Sequence, residues 1–262
     1  MALEVPVGQI DGVSLGMGVL GGAAAVGGVL LAGAALYRRY DRGTYSLEVA
    51  VSKLLAVLIC RLWYGLRRVG DGTIPPDGPV IVAANHTCSI DPVLLTALCP
   101  RRYIGFLIAR EYSNIPIIRY WVKMVECIPV NRDGLDAPAA RAAMRHLRAG
   151  KVLGIFPEGR ILPPGEAADP KEGVAMLALR TGARVIPAYI SGTRYADSIY
   201  ASIFLPHRAR VAFGPPVDLS RYLPTRRERE TVAAAAEAIM QAIRALAPAG
   251  EGPGSDSDPP PP

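Results

Sequence analysis

Apolar positions run unbroken near the N-terminus and then, from Val80 onward, fall into short runs interleaved with helical spacing. Gly12 to Tyr37 is a stretch of 26 residues without a charge. A bilayer core takes roughly 20 apolar residues as helix, and glycine is tolerated there because the helix pairs its own backbone. The stretch is therefore expected to span a membrane; an interfacial or buried Gly-rich helix is the alternative. A cleaved signal peptide needs a basic start, whereas the first eleven residues carry Glu4 and Asp11 and no Lys or Arg. Arg38, Arg39 and Arg42 follow the stretch, which places the remainder of a single-pass chain on the cytoplasmic side. In residues 46–68, Leu54, Leu55, Leu58, Ile59, Leu62 and Leu66 share one helical face, with Trp63, Tyr64, Arg61, Arg67 and Arg68 beside it. That pattern suits a helix lying in a membrane surface, or one packed on the domain that follows.

Beyond the Gly/Pro-rich loop 71–79, the pattern predicts strands at Val80–Ala84, Ile104–Ala109, Val125–Val130, Val152–Phe156, Arg184–Ile190 and Arg210–Phe213. Helices are expected at Pro92–Cys99, Pro116–Met124, Ala137–Ala149, Glu172–Thr181 and Arg226–Leu246. Strands alternating with helices predict an α/β domain with a mixed or mostly parallel sheet flanked by helices. Asp136 can cap its helix and Gly150 can end it; Thr225 and Glu228 have capping-box spacing for the last one. Pro187 within a strand suggests an edge or a bulge. The chain thus divides into a membrane anchor over residues 1–43, an interfacial helix over 44–70, an α/β domain over 71–247 and a Pro-rich tail over 248–262, which has too little to bury to fold.

Charge changes the picture in one place. The net charge is +6, and residues 100–160 alone hold 11 basic and 5 acidic side chains. A local basic surface calls for an anionic partner. Nucleic acid is not expected, because aromatic interleaving and any known module are missing. Cys60, Cys88, Cys99 and Cys127 form no CxxC pair, so neither a zinc site nor a disulfide framework is expected.

Candidate chemistry lies at strand ends. In VIVAANHTCSIDP, a strand ends near His86, and Asp91 opens a helix as its cap, with Pro92 first inside. The five-residue offset lets the Asp91 carboxylate fix the imidazole tautomer, freeing the other nitrogen to take a hydroxyl proton; a plain capping residue beside a turn histidine is the alternative. Backbone N–H groups near Asp91–Leu94 or Glu158–Gly159 are candidates for an oxyanion site. Arg132, after a strand in IPVNRDG, suits a phosphate, or a local pair with Asp133 or Asp136. In FPEGR, Glu158 can accept from hydroxyls, Gly159 permits close backbone approach, and Arg160 can bind phosphate; a local Glu–Arg pair is the alternative. Lys171 can add a further phosphate contact.

NHTCSID, IPVNRDG, FPEGR and VIPAY, in that order, resemble the PlsC-type 1-acylglycerol-3-phosphate acyltransferase family over roughly Leu54 to Pro215. The resemblance implies acyl transfer from a fatty acyl thioester, acyl-CoA or acyl carrier protein, to a hydroxyl of lysophosphatidic acid or a related lysolipid. His86 and Asp91 match the family's HX4D dyad, Arg132 its second block, and Glu158 and Gly159 its third. The commonest third block is FPEG-Thr-Arg-Ser; here Arg160 follows Gly159 directly, which leaves the acceptor less defined. No metal and no cofactor are implied, and anionic membrane lipids are the expected surface partner. A lyso-aminolipid acceptor, or a non-catalytic lipid-binding protein of the same fold, is the remaining alternative.

Overall fold

The computed structural model describes residues 26–38, 46–99, 101–114, 116–131, 136–163, 166, 168–196, 199–224 and 228–248. Arg132, Thr225, residues 12–25 and the tail from Ala249 lie outside them. Residues 26–38 are helical (α1). Among the described residues no helix is long and apolar enough to cross a membrane.

α1 lies against α2 (Leu47–Leu62), where a side chain at Gly33 would meet Leu54 Cδ2 at 3.4 Å and Lys53 Nζ stands 5.9 Å over the Tyr37 ring. Ser46 caps α2 by accepting from Val49 N. α2 stops at Leu62, short of the Arg68 that the apolar spacing suggests. Gly65 at φ +56° turns the chain, and Arg67 N donates to Ala209 O, so Arg67–Val69 becomes a strand, β1. Local periodicity cannot register that distant pairing.

Seven strands form one sheet in the order β1-β7-β6-β2-β5-β3-β4. β2 (Val80–Ala84), β3 (Ile104–Ala109), β4 (Ile128–Val130), β5 (Val152–Ile155) and β6 (Arg184–Ser191) run parallel; β7 (Arg210–Phe213) is antiparallel to β6, and β1 is parallel to β7. The mixed sheet expected from sequence is thus present. Alternate side chains fill two apolar layers, as the two-residue strand period requires. Val80, Val82 and Ala84 face α2, α3 (Asp91–Ala97) and α4 (Pro116–Met124). Ile81 and Ala83 face α5 (Ala137–Arg148), α6 (Gly173–Thr181) and α8 (Arg229–Arg244). A further short helix, α7 (Ile199–Phe204), lies between β6 and β7; the sequence reading has no element there.

Asp136 does cap α5, accepting from Ala139 N at 2.9 Å, and Gly150 follows at φ +74°. Two caps differ. Asp91 is the first residue inside α3, whose N-cap is Ile90, because its carboxylate turns back to the preceding loop. Glu228 is itself the N-cap of α8 and makes no side-chain cap bond. Pro187 lies in an inner strand, not at an edge. Its carbonyl accepts from Gly214 N, just past the last β6–β7 pair, Ala188 with Phe213. The missing N–H therefore faces the place where that ladder has ended.

Gly154 of β5 is the tightest point of the sheet, since a Cβ there would lie 2.2 Å from the Phe106 ring. Gly154→Ala is expected to lower unfolding stability by about 1–3 kcal/mol through overpacking, measured by urea denaturation. A midpoint unchanged from wild type would show that the ring moves aside freely.

Candidate active site

The carboxyl ends of three adjacent parallel strands, β6, β2 and β5, converge on one place, the position where open α/β sheets bind ligands. As β2 leaves the sheet, Asn85 replaces the ladder with its side chain: Nδ2 donates to Ile190 O at 2.9 Å and Ile190 N donates to Oδ1 at 2.7 Å. His86 is then held at the strand tip.

The His86 Nδ1–Asp91 Oδ2 distance is 2.9 Å, with Asp91 fully buried and the imidazole 16% exposed. Oδ2 also accepts from Thr87 N and Cys88 N, both at 2.8 Å. An oxygen already accepting from two backbone donors requires Nδ1 to donate, which leaves the Nε2 lone pair of His86 as the proton acceptor. The imidazole stacks on Phe156 at 3.9 Å and 12°, and Phe156 stacks on Phe106 at 5.9 Å. The ring that Gly154 makes room for is thus the far end of the stack that orients His86.

Glu158 reaches the backbone of His86. Its Oε2 accepts from His86 N at 2.7 Å. Burial pushes its carboxyl up to about 6, against the opposing pull of that backbone N–H and of His86 itself. Gly159 adopts φ +74°, and its N–H closes a turn on Phe156 O at 3.0 Å. A Cβ there would meet Lys171 Cε at 2.5 Å, so the Lys171 side chain lies over the glycine. Lys171 N donates to Pro157 O. Arg160 is exposed and pairs with Glu166 at 3.2 Å. The structure therefore gathers His86, Asp91, Glu158, Gly159 and Lys171, sets Arg160 at the outer rim, and leaves Arg132 undescribed.

Most of the anticipated oxyanion donors are already engaged. Asp91 N bonds to Cys88 O, Val93 N and Leu94 N to Ile90 O, and Gly159 N to Phe156 O. Short turns consume their own N–H groups, which motif spacing does not reveal.

Further residues reach the site from the β6–β7 connection. Thr193 Oγ1 and Thr87 Oγ1 are 2.7 Å apart. His207 is buried; Nδ1 accepts from Arg194 N at 3.0 Å, so Nε2 donates to Ser202 O at 2.9 Å. Burial pulls its basicity down, in keeping with that neutral tautomer. Asn85, Thr87 and Phe156 lie inside the motif blocks and were legible by position. Thr193 and His207 carry no local signal, because only the fold brings them here. All four cysteines are buried thiols; desolvation raises Cys88, and pushes Cys60 and Cys127 up to about 12.

Residues 66–191 match the protein-family model described as Acyltransferase. The chain is 32% identical over 130 residues to a 1-acyl-sn-glycerol-3-phosphate acyltransferase of Borreliella burgdorferi, a match covering 47% of this chain and 50% of that protein. It is 24% identical over 191 residues to the Bacillus subtilis protein of the same description, covering 72% and 92%. The chain thus spans half the length of the first relative and nearly all of the second. The solved structure of PlsC, the 1-acyl-sn-glycerophosphate acyltransferase of Thermotoga maritima, matches with a TM-score of 0.60 at 23% identity, covering 84% of this chain and 87% of that one. At that identity the likeness carries the fold.

Because the folded state raises the Glu158 carboxyl from 4.5 to about 6, the native state binds the proton more tightly than the unfolded chain. The stability from this group is complete below pH 4.5 and is lost as pH rises through about 6, by roughly 2 kcal/mol. Glu158→Gln removes that charge and is expected to equal wild type near pH 4.5 and to exceed its stability at pH 8. Parallel pH profiles of the two proteins in thermal melts would contradict this.

Proposed function

Residues 66–191 are an acyltransferase-family domain, and on that premise we propose that the chain transfers a fatty acyl group from acyl-CoA or acyl carrier protein to the free hydroxyl of 1-acylglycerol 3-phosphate. The single observation that carries the chemistry is the His86 Nδ1–Asp91 Oδ2 bond of 2.9 Å at the end of β2. Nε2 removes the acceptor hydroxyl proton while the oxygen attacks the thioester carbonyl. The new C–O bond forms, the C–S bond breaks, and the departing thiolate recovers the proton from Nε2. Asp91 stabilises the imidazolium formed between these steps, and Glu158 holds the His86 backbone in place. No side-chain nucleophile is needed, because a thiolate leaves readily.

The descriptions of the relatives support a lysophosphatidic acid acceptor. Arg132, Arg160 and Lys171 are the cations assigned to its phosphate. Arg160 would exchange an exposed pair with Glu166, worth only about 0–1 kcal/mol, for a charge-assisted bond worth about 1.5–3 kcal/mol. Residues 12–37 are assigned as a single-pass anchor with the domain on the cytoplasmic side, in keeping with the charge-free run and the arginines after it. Anionic lipids are the proposed surface around it.

His86→Ala and Asp91→Asn are each expected to lower turnover by about 10²–10⁴-fold with unchanged circular dichroism. The assay offers purified protein an acyl-CoA and a panel of lyso-acceptors, with products read by mass spectrometry. A folded variant keeping most of its turnover would sink the mechanism, and a lyso-aminolipid product would replace the acceptor. Full-length protein is expected to stay with membranes through a carbonate wash; release into the supernatant would reject the span.

A further inference from the structure

α7 leaves large apolar side chains in the open: Phe204 is 73% exposed and Ile203 is also exposed. Soluble surfaces carry single exposed hydrophobics, but these do not stand alone. Tyr64 Oη, just past the end of α2, donates to Ile203 O at 2.8 Å, and Ala209 N donates to Tyr64 O. α7 is thereby fastened to the end of α2, where Leu58, Ile59, Leu62 and Trp63 are exposed, Leu62 by 83%. Both the end of α2 and α7 thus expose large apolar side chains on elements joined by these bonds. Arg61, Arg67, Arg208 and Arg210, in or next to these segments, are exposed. Residues 49–70 and 199–217 contain no Asp or Glu, so the charge on these two segments is positive only.

We propose that α7 is a second lipid-contacting element, inserting Ile203 and Phe204 among the acyl chains of an anionic bilayer beside the end of α2. The occupant follows from the chemistry of these segments: exposed apolar side chains with an interfacial Trp and arginines without acids fit an anionic lipid surface. The placement has a functional meaning. Ser202 of α7 hydrogen-bonds the Cys88 thiol, and its carbonyl accepts from His207, so α7 sits directly on the outside of the His86–Asp91 turn. A bilayer touching α7 therefore meets the loop that carries the dyad, and a lysolipid hydroxyl reaches Nε2 without leaving the interface. The inference uses the interfacial placement expected for residues 46–68 from their sequence but not the acyl-transfer reaction, so the two can fail separately.

The native cysteines are buried, which allows a single reactive thiol to be introduced into the full chain. Phe204→Cys carries an environment-sensitive fluorophore, with Ile203→Cys as the second probe should the first disturb folding, and Ala234→Cys on exposed α8 as the reference. The proteins are mixed with vesicles of zwitterionic lipid containing about one third anionic lipid and a nitroxide quencher in the acyl region. The expected result is a blue shift and strong quenching at 204 and 203, weakened by purely zwitterionic vesicles, and neither effect at 234. Quenching at 204 and 203 no greater than at 234 overturns the proposal. So does fluorophore self-quenching that grows with protein concentration before vesicles are added, because it assigns these side chains to a second copy of the chain.

Discussion

Asp91 Oδ2 accepts hydrogen bonds from His86 Nδ1, Thr87 N and Cys88 N in a position with no solvent exposure. Its other oxygen, Oδ1, is buried without a hydrogen-bond partner among the described residues, so the bonds to Oδ2 alone offset the cost of burying the carboxylate, and the loop 86–91 curls round that one oxygen. The rest of the site follows from the curl. It aims the free edge of the imidazole outward, starts α3 one residue earlier than a capping Asp would, and sets Thr87 where Thr193 can reach it. Removing that oxygen would leave His86 Nδ1, Thr87 N and Cys88 N without their shared acceptor, which ties the orientation of the imidazole to the shape of the loop at a single atom.

Much of this was legible in the chain. The buried strands Val80–Ala84 and Arg210–Phe213 coincide with their apolar runs, and Asp136 and Gly150 bound α5 as their chemistry demands. The misreadings share a cause. β1 exists through a bond to Ala209, and Pro187 is tolerated inside the sheet because β7 ends beside it. Ser202 and His207 matter only because α7 folds onto the dyad turn. Each depends on a partner distant in sequence, which spacing cannot register. The dyad could be read because both members lie within one short loop. Glu158 was read as a ligand for substrate hydroxyls; the structure adds a bond from the His86 backbone N–H to its Oε2, which the motif does not reveal.

Around the dyad, apolar support and charge are opposed. Phe106 and Phe156 stack behind His86 and fix the ring by shape. The same surroundings make Glu158 reluctant to ionise. The site is held in an arrangement that folding alone would not favour, as expected where orientation is worth more than local stability. The two apolar layers on either face of the sheet supply the excess that permits it.

The buried thiols have a chemical consequence of their own. A reaction fed by thioesters would put any nearby thiolate at risk of capturing the acyl group by thioester exchange, releasing the donor thiol. Cys88 lies three residues from Asp91, within the dyad loop itself. Desolvation and the Asp91 charge both hold its sulfur in the protonated state, and thiols in that state are poor nucleophiles. The burial that shapes the loop thus also keeps its own cysteine out of thioester exchange, so that the loop would offer no internal competitor to an acyl acceptor.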